Sequence, residues 1–215
     1  MALRPGDMRH RDEPPVPQAS EAGPDGNARL TSSTAAVLFV LLGAEGVTVL
    51  SIRQLLAPHV FIGMLLVRPV ALKIGSTLYR FVRYYRGAEA YRRKGPPPAL
   101  LRLLGPLVVA STVAVLATGV ALLLAPRGTR QELLFLHKGS FVGWFGVMAL
   151  HVLGHLGDTA RLAPRDWYGR TRRQVRGAGL RQWAVAASLV IGVLLGLLLV
   201  GRSGPWLAWT RLHFG

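Results

Sequence analysis

The stretch that decides the fold is residues 135–156, FLHKGSFVGWFGVMALHVLGHL. A helix needs about 20 apolar residues to cross a bilayer, and this run has that length. It also carries His137, His151 and His155. An imidazole buried in hydrocarbon must find a hydrogen-bond partner or a metal, because an unsatisfied polar group there is costly. The rest of the chain has to say which.

Working outward, similar apolar runs occur at about 35–57, 59–79, 103–125 and 183–200. The chain has 215 residues, 51% of them hydrophobic, and 26 Lys+Arg against 10 Asp+Glu. A basic, apolar composition fits either a nucleic-acid binder or a multi-span membrane protein. A soluble nucleic-acid binder has no use for five membrane-length runs, so the expected class is an all-α integral membrane protein with no nucleic-acid partner. Cysteine is absent, which excludes disulfides and thiolate metal sites within the chain. The first apolar run follows a long polar leader, so it is expected to act as an uncleaved anchor rather than a signal peptide.

Residues 1–34 are rich in Pro, Gly and charge and read as a disordered tail. Residues 80–98 and 158–182 form two strongly basic connections, the first with Arg80, Arg83, Arg86, Arg92, Arg93 and Lys94. The links near 53–58 and 126–132 hold only Arg53, Arg127 and Arg130. The positive-inside rule then puts the tail and both basic connections in the cytoplasm, in a plasma (inner) membrane. The basic segments are read as orientation signals in contact with anionic lipid. Residues 201–215 become a short extracytoplasmic tail, with Trp206 and Trp209 at the outer interface.

Topology gives depth. His59, in LLAPHVFIGMLLVRPVALKIGS, opens the second span, and His137 lies near the same end of the fourth. Two histidines at matching depth on different helices can ligate one haem iron from both sides. Each is otherwise an interfacial side chain reaching toward headgroups. Gly63 lies one turn beyond His59 and would let a flat macrocycle approach the backbone.

Residues fourteen apart on a helix share a face and differ by about 21 Å in height. His151 is fourteen beyond His137, whereas fourteen beyond His59 stands Lys73. Paired histidines at this spacing on two helices resemble the bacterial membrane cytochrome b superfamily, the haem b subunits of hydrogenases and formate dehydrogenases. MALHVLGHL (148–156) and HVFIGMLL (59–66) are similar to haem-bearing helices of that family, over roughly residues 35–157. The resemblance implies a four-helix haem-binding transmembrane bundle with a fifth, peripheral span. It implies one haem b held by His59 and His137, with a redox partner protein or quinone. His151 matches a second-haem ligand, but Lys73 occupies the opposing position, so a second haem is not expected.

Helix rise also puts Glu45, about 20 Å below the outer boundary, level with Lys73 and His151. These three read as a buried polar cluster, either an ion pair that fixes packing or the polar end of a proton path. His155, one turn on, is a reserve ligand. Arg53, Lys138 and Arg130 are candidate partners for haem propionates. Trp144 shares the face of His137 and His151 and reads as packing. Arg68 points away from His59.

Two other function classes stay open. A small proton-coupled transporter would use Glu45, Lys73 and His151, although no inverted repeat is visible. A structural or assembly factor would use the basic connections, and homo-oligomerisation fits any of the three. No Walker loop, dinucleotide fingerprint or HExxH is present. The chain therefore reads as an electron-transfer subunit rather than a catalytic one.

Overall fold

The computed structural model describes residues 24–93, 95, 99–167 and 178–206, and among them there is no strand. The helices are α1 (Pro24–Leu50), α2 (Leu56–Tyr85), α3 (Glu89–Arg93), α4 (Ala99–Leu124), α5 (Arg130–Trp167) and α6 (Ala178–Val200). Five stretches, Gly26–Leu50, Leu56–Tyr85, Arg102–Leu124, Arg130–Gly154 and Leu180–Trp206, are long and apolar enough to cross a membrane. Their large apolar side chains face outward: Phe39 is 73% exposed, Phe135 77% and Leu198 76%. Water would not tolerate that pattern over five helices, but a bilayer requires it. The chain is an all-α multi-pass membrane protein.

Neighbouring helices run antiparallel. A turn over residues 51–55, closed by Gln54 and Leu55 donating to the Ser51 carbonyl, joins α1 to α2. At its other end α2 stops at Gly87, whose φ of +81° is easy only for glycine. The molecule thus has a turn end, with the α1–α2 and α4–α5 links, and a basic end, with α3.

Lipid tails are as apolar as leucine, so spans associate through close backbone approach and polar contacts. Both occur on α2. Its Pro69 has no N–H to offer the Leu65 carbonyl one turn back. Gly192 of α6 packs directly on that carbonyl, where a Cβ would stand 2.5 Å from the oxygen. One turn further, a Cβ on Gly196 would stand 2.7 Å from the Phe61 ring. On the other side, Leu38 of α1 packs with Leu66 and Val70, joined by Leu116 of α4.

The helix pairs are α1 with α2, α2 with α6 and α4 with α5, while α2 and α4 form the main bridge between the two groups. α6, expected as a peripheral span, makes the most extensive contact of all, with α2. The glycine approach explains why a span with no ionisable residue over 183–200 is nevertheless firmly seated.

Two boundaries differ from expectation. α1 starts at Pro24 rather than near 35, because Asn27 donates to the Ser76 carbonyl at 3.0 Å and Thr31 to the Ser76 hydroxyl at 3.1 Å. These bonds draw polar residues into the helix, and Pro24 suits its first turn. Residues 1–23 of the expected tail lie outside the described residues. The expected 158–182 connection is helical as far as Trp167 and again from Ala178. Trp209 and residues 168–177 also lie outside the described residues.

Candidate functional site

α2 and α5 bring His59 and His137 together near the turn end. Their rings meet edge to face, with centroids 6.3 Å apart and planes inclined at 64°. Each ring is held from behind. The His59 Nδ1 lies 2.9 Å from Glu45 Oε1, a carboxylate on α1 with 15% of its side chain exposed. Thr48 supports both partners, with its Oγ1 3.1 Å from the same Nδ1 and 3.2 Å from Glu45 Oε2. Toward this carboxylate acceptor the Nδ1 of His59 is the donating N–H.

His137 is held by α4. Its Nδ1 lies 3.2 Å from Thr118 Oγ1. The Thr118 hydroxyl donates to the Ala114 carbonyl at 2.8 Å, so toward the imidazole its oxygen acts as the acceptor. Ser140, one turn from His137, lies 3.0 Å from the same hydroxyl. Gly119 gives the ring its place, since a Cβ there would approach His137 Cε1 to 3.1 Å. Each imidazole thus has its Nδ1 against a hydrogen-bonding partner on a neighbouring helix.

Between α2 and α4 lies an apolar cleft of about 490 Å³, lined by Val67, Val70 and Ile74 on one side and Val113, Leu116 and Val120 on the other. It has no charged lining group.

The residues expected at the inner level do not assemble. Glu45 pairs with His59 instead of Lys73, because the turn at 51–55 ends α1 at Leu50. Glu45 is thus only about 8 Å of helix rise from the turn end. Lys73 lies toward the basic end and donates to the Thr31 carbonyl at 2.9 Å. His151 stands half-buried on α5, fourteen residues from His137. His155 is on α5, with its side chain outside the described residues.

Gly63 faces the Glu45 carboxylate, with Oε1 3.5 Å from where a Cβ would be, so the space expected for a macrocycle beside it holds that side chain. Arg53 and Lys138 are exposed. Arg130 stacks 5.0 Å from the Trp206 ring and donates to the Ala125 carbonyl. Arg68 is exposed. Trp144 donates to Thr112 at 3.0 Å, tying α5 to α4.

Two supports of the site, Thr48 and the Thr118–His137 contact, lie beyond the sequence expectations. The TxxxxxxxxxxH spacing of Thr48 and His59 carries no signal before the turn between them is known. Among the described residues, no three His, Asp or Glu side chains gather around a point, whereas haem iron needs only two protein ligands. No family model, curated protein or solved structure matches this chain.

Proposed function

We propose that this protein is a membrane electron-transfer cytochrome that holds one haem b between His59 and His137. The observation that carries the reading is the facing pair of imidazoles, from helices of the two halves of the bundle, each with Nδ1 occupied. With ring centroids 6.3 Å apart, His59 and His137 are the residues that would hold one haem iron between them. Hydrogen-bonded Nδ1 atoms behind ligating Nε2 atoms are the usual support for metal-bound histidine.

The residues present therefore fit the group. When bound, haem iron supplies the one-electron redox change. Glu45, Thr48 and Thr118 hold the two rings in register, and the missing Cβ of Gly119 lets the His137 ring seat closely against α4. The apolar cleft beside α2 and α4 offers a dry wall, and burial raises the weight of every nearby charge. With the basic end in the cytoplasm of a plasma membrane, the site lies near the outer face, where it would exchange electrons with a redox partner protein or a quinone.

The Glu45–His59 pair also supports a second reading. A carboxylate and an imidazole in contact within the spans are suited to carrying a proton, as a small transporter requires. The two readings part on haem content. Wild-type protein should bind haem, and His59→Ala and His137→Ala should each lose it while remaining folded. Variants that keep full haem content would overturn this ligand assignment.

A further inference from the structure

The two imidazoles are not equivalent. His59 leans on a carboxylate at 2.9 Å, while His137 leans on a neutral hydroxyl at 3.2 Å. Thr48 donates to the Glu45 main-chain carbonyl at 2.6 Å, and its oxygen stands 3.1 Å from the same His59 Nδ1. Side-chain exposures of 22% for His59 and 15% for Glu45 leave little water to screen the pair.

We infer that Glu45 is the positioning residue that makes His59 the stronger of two unequal iron ligands and biases the site toward the oxidised state. The inference rests on the haem reading above. An acceptor carboxylate on Nδ1 pulls the ring toward imidazolate character and increases donation from Nε2. Negative charge beside the ligand also stabilises the iron state with one more positive charge. Both effects act in the same direction and lower the reduction potential. Thr118 supplies a neutral acceptor to His137, so its contribution is smaller. The site is thus built to give its electron away to an acceptor of higher potential.

Glu45→Gln tests this, because the amide keeps the size and an acceptor oxygen while removing the charge. Redox titration of purified protein should show a higher midpoint potential in Glu45→Gln than in wild type at equal haem content. The shift should exceed that of Thr118→Val. An unchanged or lowered potential at equal haem content overturns the inference and leaves the haem reading standing. A wild-type protein that takes up no haem overturns the haem reading and this inference with it. A second readout does not depend on the variant folding: 15N-histidine spectra of haem-free wild-type protein should show His59 as the Nδ1–H tautomer. The Nε2–H tautomer would overturn the role assigned to Glu45.

Discussion

Replacing Gly192 by alanine tests how the bundle is held. The new Cβ would stand 2.5 Å from the Leu65 carbonyl oxygen, 3.2 Å from its carbon and 3.3 Å from the Leu65 Cα. All three are backbone atoms, so no side chain can swing aside. Relief requires α6 to withdraw from α2 by most of an ångström, which loosens the neighbouring Gly196–Phe61 contact as well. Overpacking of this kind costs about 1–3 kcal/mol. At roughly 2–4 °C per kcal/mol for a chain of this size, the melting temperature should fall by about 2–12 °C.

Gly146 of α5 is the control. A Cβ added there would meet nothing within 4 Å, and alanine in a helix interior is favoured over glycine by about 1 kcal/mol. Gly146→Ala should therefore leave the melting temperature unchanged or raise it. Thermal unfolding in one detergent, followed by circular dichroism, compares the two. A Gly192→Ala protein as stable as Gly146→Ala would refute the close α2–α6 packing.

Other expectations follow from the same contacts. Gly119→Leu should displace the His137 ring and reduce haem content several-fold with helicity intact, read from haem absorbance per protein. Lys73→Met removes one hydrogen bond to Thr31 far from the histidine pair, so it should cost about 1 kcal/mol in thermal stability with the haem spectrum unchanged. Trp144→Phe should behave likewise, losing its bond to Thr112. Because the chain lacks cysteine, single cysteines at Arg53 and Arg86 can be labelled cleanly in intact cells. An impermeant reagent should reach position 53 and not position 86, and the reverse pattern would invert the proposed orientation.

The spans are legible because a bilayer imposes a length and a composition that a sequence displays directly. The His59–His137 meeting is legible for a related reason, since helix rise converts sequence position into depth. Where the end of a span is misplaced, depth fails too. Counted from a helix ending near 57, Glu45 falls deep in the bilayer, and the turn at 51–55 moves it to the histidine level. The N-terminal extension of α1 depends on Asn27 and Thr31 meeting Ser76, a tertiary contact that local polarity hides. Thr118 is ambiguous in sequence because a helical hydroxyl bonds its own backbone, as it does here to Ala114. Its free acceptor face is what reaches His137. The seat of α6 rests on glycines, whose importance lies in what they do not occupy.

The most direct test of the central claim is an oxidised-minus-reduced visible spectrum of purified protein, expressed with ample haem, together with a pyridine haemochrome assay of haem per chain. The account predicts a sharp reduced α-band and one haem b per chain. Protein that is folded, haem-supplied and colourless would contradict it and leave Glu45 and His59 as a proton-carrying pair.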